Sequence, residues 1–419
     1  MSTDRRTSVL RRHAGFRWLW ISRAVSYVGD GIALVALVLH VQGTSDSGTA
    51  VAGLLLAAAL PSLLGPVAGS IADRVDRRRM MLACELGQAV VYVTIAVFLP
   101  GYAVLLALVA VANGLARSFA PAASSSIPSL VPGEELVGAN AWLGTALNLQ
   151  VAFGGLLGGL LVAGVGVRWA LAIDAVSFLF SALALSKVPA LPPEAKVEVV
   201  SFARTIRDGL GFVATHAVAR AVVITLFLGV AFAGVDNVAL VFLTREELGG
   251  DEAAFGVVSS AFGFGMLAAS LVLTRWERLV SARVAFLGGW FLMAAGTLAT
   301  GLAPAIAAVA GAQWLGGVGN GAGNVGGDTL IQRTVPAAMR GRVFGLASTA
   351  AFLGSGLAYA AGGVLVDLVS PRAVFVVASA GVLAASIGGV FLLPRDERTL
   401  SRVGIQRGHR GEDRADGER

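Results

Sequence analysis

The sequence predicts an all-α polytopic membrane protein, with twelve transmembrane helices in two pseudo-symmetric six-helix bundles. Three observations carry that expectation. Hydrophobic residues make up 56% of the chain and charged residues 14%, a balance too apolar for a soluble domain. Apolar runs of roughly twenty residues recur along the whole length, each enough to cross a hydrocarbon layer about 30 Å thick. The basic residues gather in alternate linkers and in the tails, the asymmetry that sets helix orientation in a membrane.

Residues 1–15 form a basic arm on the cytoplasmic side, with Arg5, Arg6, Arg11 and Arg12 ahead of the first span. That span exceeds twenty residues and lacks a convincing cleavage site, so it reads as a retained helix. Spans are expected near 16–41, 49–72, 79–99, 102–124, 136–164 and 168–187, and again near 217–244, 253–275, 282–301, 303–331, 340–366 and 371–393. The first six make an N-terminal bundle, 16–187, and the last six a C-terminal bundle, 217–393. Residues 188–216 form a central cytoplasmic loop that opens on Pro189, Pro192 and Pro193 and carries one candidate surface helix, Ser201–His216. Residues 394–419 make a cytoplasmic tail expected to be disordered. Only Arg168, Arg245 and Arg372 lie on the opposite side, which places both termini in the cytoplasm of a bacterial inner membrane.

The two halves repeat at a constant offset of 204 residues. Val131-Pro132 maps onto Val335-Pro336, Gly158-Gly159 onto Gly362-Gly363, Arg168 onto Arg372, and Asp73-Arg74 onto Glu277-Arg278. Duplicated halves are the build of transporters that rock about a central site.

Composition also excludes functions. The net charge of +6 follows from topology and implies no nucleic-acid partner. Cys84 is the lone cysteine, and His13, His40, His216 and His409 show no ligand spacing, so neither a disulfide nor a metal or other cofactor is expected. Gly321-Ala-Gly-Asn-Val-Gly326 fits a dinucleotide-binding string but lies inside a membrane span, and no phosphate-binding lysine loop exists. No carboxylate dyad, nucleophile elbow or paired histidine suggests an enzyme.

Polar groups within the bilayer are costly and therefore candidate functional residues. Arg23, Ser26, Tyr27 and Asp30 share one face of span 1. Asp30, near mid-span, is the candidate proton carrier, since a partly desolvated carboxylate can take up and release a proton near neutrality. A permanently paired anion against Arg23 or Arg117 fits the same position. Arg23, Tyr27, Asn113, Arg117, Asp236, Asn320 and Asn324 are candidate cavity residues. Arg117 can also be read as snorkelling to the cytoplasmic surface. Asp328, further along the span 10 stripe, suits a gate. Asp174 is six residues from a loop and reads as interfacial. Trp290, Trp314, Phe262 and Phe264 are better read as helix packing than as substrate contacts.

Gly69-Ser-Ile-Ala-Asp73-Arg74-Val-Asp-Arg77-Arg78-Arg79 resembles the loop signature of the major facilitator superfamily of secondary transporters, with Asp76 where that signature has glycine. Ile127-Pro-Ser-Leu-Val-Pro132-Gly-Glu-Glu-Leu and Arg340-Gly-Arg342-Val-Phe are similar to the drug- and siderophore-exporting branch, which includes macrolide efflux and enterobactin export proteins. The resemblance covers residues 12–393. It implies a cytoplasmic gate of Gly69, Asp73, Arg74 and Arg77 against the start of span 11, near Arg340 and Arg342. Glu277 and Arg278 would make the partner lock at the start of span 5. Gly154-Gly155-Leu-Leu-Gly158-Gly159 keeps the glycines of an antiporter motif but has Gly155 in place of proline. With Gly362 and Gly363 in span 11, these glycines read first as helix-packing positions.

The expectation is a monomeric secondary transporter whose partners are a small-molecule substrate, protons and the lipid bilayer. Proton-coupled efflux of an amphipathic drug, antibiotic or natural product fits best. Export of a siderophore or lipid-like metabolite, uptake by symport, and a non-transporting sensor or scaffold of the same fold are the alternatives.

Overall fold

The computed structural model describes residues 9–64, 74–192, 202–275 and 280–394. The N-terminal half holds α1 (Ala14–Ser45), α2 (Gly48–Ala59, continued by a 3-10 turn over Leu60–Leu64), α3 (Arg77–Phe98), α4 (Tyr102–Leu130), α5 (Leu136–Val165) and α6 (Val167–Leu185). A surface helix, α7 (Phe202–Thr215), leads to α8 (Ala217–Ala233), α9 (Asp236–Phe242), α10 (Glu252–Arg275), α11 (Ala282–Leu302), α12 (Ile306–Thr334), α13 (Ala337–Leu368) and α14 (Pro371–Leu392). No strand occurs among the described residues.

Ten helices are long and apolar enough to cross a membrane by themselves, α8 and α9 being joined in one of them. The two other expected spans are α2, of which residues up to Leu64 are described, and α12, whose Gly and Asn content lowers its hydropathy. Helix starts follow local chemistry. Ser47, Asp76, Ser281 and Ser370 each accept a backbone N–H at the start of α2, α3, α11 and α14, which satisfies a donor that the first helical turn leaves free. Asp76, the departure from the loop signature, is therefore the N-cap of α3, and its second oxygen accepts the Leu191 N–H at 3.1 Å.

Two boundaries differ from expectation. Span 4 was expected to end at 124, yet α4 continues through Pro121 and Pro128 to Leu130. Membrane helices tolerate proline where surrounding groups re-satisfy the freed backbone. Span 7 was expected to be one helix over 217–244, but the chain breaks at Gly234 and Val235 and resumes at Asp236, then passes through a wide π-type turn over Leu243–Glu247. The break falls where Gly234 packs against α13: a Cβ there would stand 2.8 Å from the Ala358 Cβ.

The repeat is visible in the helices. Shifting Tyr102–Leu130 by 204 residues gives 306–334, the bounds of α12. A bond recurs at the same offset: Arg168 donates to the Val97 carbonyl at 3.2 Å, and Arg372 to that of Gly301 at 3.0 Å.

Small residues set the helix spacing. Gly154 and Gly158 face α1, where a Cβ on Gly154 would lie 2.6 Å from the Gly31 Cα and one on Gly158 2.9 Å from the Val35 Cβ. Gly155 and Gly159 face the other half: Gly155 abuts the Ser260 hydroxyl, and a Cβ on Gly159 would stand 2.6 Å from the Gly256 Cα. Gly363 meets Ala52 of α2 in the same way, and Gly362 meets Val235. Gly154→Leu should therefore lower stability by about 1–3 kcal/mol through overpacking. A lower thermal midpoint in detergent and a broadened size-exclusion peak would show it. Gly144→Ala, with no atom within 4 Å of the added carbon, should melt like the wild type; equal melting of both variants would contradict this packing.

Candidate functional site

Two cavities adjoin at the centre of the molecule. The first, about 390 Å³, is lined by Arg23, Tyr27 and Asp30 of α1, Gln88 and Tyr92 of α3, and Asn113 and Arg117 of α4. The face expected of span 1 thus points inward. The Arg23 guanidinium carbon lies 3.9 Å from the Tyr27 ring centroid and 4.3 Å from that of Phe119. Arg23 is 6% exposed, so its charge is held by aromatic faces instead of water. Asp30 forms no ion pair among the described residues, although Arg23 and Arg117 lie near enough to act on it electrostatically. Asn113 donates to the Val109 carbonyl at 2.9 Å. Arg117 is exposed and lines the cavity at mid-helix.

Two further acids lie fully buried in this half. Glu85 of α3 was not among the sequence candidates. Neither of its carboxyl oxygens makes a hydrogen bond of normal geometry, although the Ser26 and Ser181 hydroxyls stand beside it and Arg23 acts on it. Asp174 corrects the sequence reading: it is not interfacial but fully buried. Its Oδ1 accepts from Ser177 at 3.2 Å, while Oδ2 has no partner. α6 turns this residue toward Gly29 of α1, which has no side chain to exclude it.

The second cavity, about 290 Å³, lies at the break between α8 and α9. Asp236, the first residue of α9, accepts from Gln313 Nε2 at 3.2 and 3.0 Å on its two oxygens. Gln313 is itself buried and lies 3.4 Å from the Thr300 hydroxyl. Asn320 and Phe262 also line this cavity. Asn324 donates to Asn320 at 2.9 Å but, like Asp328, is exposed and outside both linings. Trp290 is buried against Gly229, and Trp314 and Phe264 are exposed. Leu34 and Leu55 line both cavities.

One end of the molecule is closed by contacts between the halves. The Asp367 carboxylate, at the end of α13, accepts from the Gly48 and Thr49 amides at 2.6 and 3.0 Å, and from the Ser47 and Thr49 hydroxyls. It sits at the N-terminus of α2, where free N–H groups favour an anion. Gln42 of α1 donates to Glu246 at 2.9 Å, and these two residues are themselves 204 apart. Of the residues expected to form a gate at the opposite end, Gly69, Asp73, Glu277 and Arg278 lie outside the described residues. Arg74 is exposed, and Arg77 is buried with its amide on the Leu191 carbonyl. Arg340 reaches back to the end of α12 and donates to the Val335 carbonyl at 2.9 Å, and Arg342 pairs with Asp208 of α7 at 3.5 Å. No metal-ligating cluster occurs among the described residues.

Residues 8–402 match the model of the family described as transmembrane secretion effector, MFS_3. The chain is 27% identical to an uncharacterized MFS-type transporter, YfiS, of Bacillus subtilis (strain 168), covering 96% of this chain and 98% of that one. It is 26% identical to a putative bacilysin exporter, BacE, of Bacillus subtilis over 62% of this chain and 66% of that one. Against an enterobactin exporter, EntS, of Citrobacter koseri it is 28% identical over 44% and 46% of the two chains. Among solved structures, a bacterial homolog of the human lysosomal transporter Spinster superposes with a TM-score of 0.67 at 15% identity, covering 94% of this chain and 96% of that one. An auto-inhibited POT family peptide transporter gives 0.72 at 13% identity, covering 91% and 97%. At these identities the structures share the fold.

The buried charges around Arg23 are interdependent. Arg23→Ala should destabilise the protein, because it leaves Glu85 buried without a nearby cation. Adding Glu85→Gln should recover part of the loss, with a coupling of about 0.5–3 kcal/mol in a double-mutant cycle read by thermal unfolding. Strictly additive effects would show that the two side chains do not interact.

Proposed function

We propose that this chain, which belongs to the transmembrane secretion effector family of the major facilitator superfamily, exports an amphipathic small molecule in exchange for protons by alternating access. The observation that carries the reading is Asp30: a carboxylate in a cavity wall, flanked by two arginines, yet bound to neither. Such a group can gain and lose a proton without unmaking a structural ion pair. Arg117, Asn113, Asp236 and Asn320 supply polar contacts in the adjoining cavities, and Leu34, Leu55 and Phe262 supply apolar ones. The bacilysin and enterobactin exporters among its relatives support export as the direction and a natural product as the cargo. The enterobactin relative also favours a siderophore as a second reading.

In this scheme the protein works as a monomer in the bacterial cytoplasmic membrane, with both termini and the central loop in the cytoplasm. Two six-helix halves rock about the cavities. The seam at Asp367 and the α5–α10 glycines closes one face. Gly69, Asp73, Arg74, Glu277, Arg278, Asp328 and Arg340 belong to the lock expected at the other.

Asp30→Asn tests the coupling. In everted vesicles given an inward-acid proton gradient, the variant should lose proton-driven accumulation of an amphipathic fluorescent probe by about tenfold or more, the size of a modest coupling free energy. Exchange of the probe without a gradient should persist. Full proton-driven accumulation in the variant would remove Asp30 from the mechanism.

A further inference from the structure

The two cavities differ in charge across a shared apolar border: Arg23, Arg117 and Asp30 line the first, and Asp236 is the charged residue in the lining of the second. In the first, Arg23 is committed to Tyr27 and Phe119. Arg117 is different: it is exposed in the lining, and no ion pair or hydrogen bond engages it among the described residues. In the second cavity no arginine or lysine is present in the lining. Asp236 there is held by the buried amide of Gln313 on both oxygens, which fixes its orientation but supplies no positive charge. Leu34 and Leu55 border both cavities, so the two are immediate neighbours with apolar side chains between them.

Charges facing a partly desolvated cavity bind strongly to a complementary charge and resist an apolar group in the same place. We infer that the joined cavities bind an elongated zwitterionic amphiphile, with its anionic end at Arg117, its ammonium end at Asp236, and its apolar middle over Leu34 and Leu55. This rests on the export reading and narrows its cargo to a molecule with separated opposite charges. Asp30 is the competing ammonium site, since it shares the first cavity with Arg117. Arg23 stands beside Asp30 and opposes a cation there, whereas nothing opposes one at Asp236.

Equilibrium binding to the full chain in nanodiscs tests this without any gradient. The probes are ω-aminooctanoate, octanoate, octylamine and octanamide, followed by calorimetry. The zwitterion should bind about tenfold or more tighter than either singly charged analogue, as charged hydrogen bonds allow. In Arg117→Gln it should fall to the affinity of octylamine, and in Asp236→Asn to that of octanoate. The wild-type series is informative even if a variant fails to fold. The inference is overturned if octanamide binds as tightly as the zwitterion, if none of the four binds, or if Asp30→Asn instead of Asp236→Asn removes the preference for the amine. Proton-driven efflux without this charge selectivity would overturn the inference alone. The binding pattern without efflux would overturn the export reading alone.

Discussion

A carboxylate at a helix N-terminus holds the two halves of this protein together at one end. Asp367 reaches from the last turn of α13 to the first amides of α2, and it brings the helices close enough for Gly363 to meet Ala52. The second seam, between α5 and α10, depends on glycine at 155, 159 and 256 for the same approach. Contacts of this kind have a property that hydrophobic packing lacks. A few polar bonds at the exposed end of a helix break at modest cost when water can replace them.

The cavities follow from how charge is housed. A greasy bundle keeps a charge only where protein groups replace water. Here Arg23 is sandwiched by aromatic rings, Asp174 accepts from the Ser177 hydroxyl, and Asp236 is gripped by Gln313. Asp30 and Arg117 are the exceptions in the first cavity, and both face its open space. Firmly held neighbours thus surround two charges that make no ion pair or hydrogen bond among the described residues.

Much of this was legible in the sequence. The helix count, the repeat offset and the inward face of span 1 rest on long apolar runs and periodicity, signals that survive without tertiary knowledge. The broken span 7 was not, because Gly234 and Asp236 are individually compatible with a continuous helix, and the packing of Gly234 on Ala358 of α13 is a tertiary contact. Asp174 was misread by counting residues from the loop, which ignores the direction in which the helix faces. Glu85 was overlooked, yet a signal existed: Glu85 and Gln88 are three residues apart on one face of an apolar span, the same pattern that singled out Arg23, Tyr27 and Asp30. Asn324 was placed in the cavity by its spacing from Asn320, but one turn of α12 carries it beyond the lining.

The most direct measurement of alternating closure is the distance between nitroxide labels at Thr44 and Ser370, exposed positions in opposite halves at the sealed end, with Cys84 replaced by serine. Double electron–electron resonance in nanodiscs should give a short, narrow distribution for the otherwise native chain. With Asp367→Ala, a second population at longer distance should appear. A single distribution that is the same with and without Asp367 would mean that these contacts do not hold the halves together.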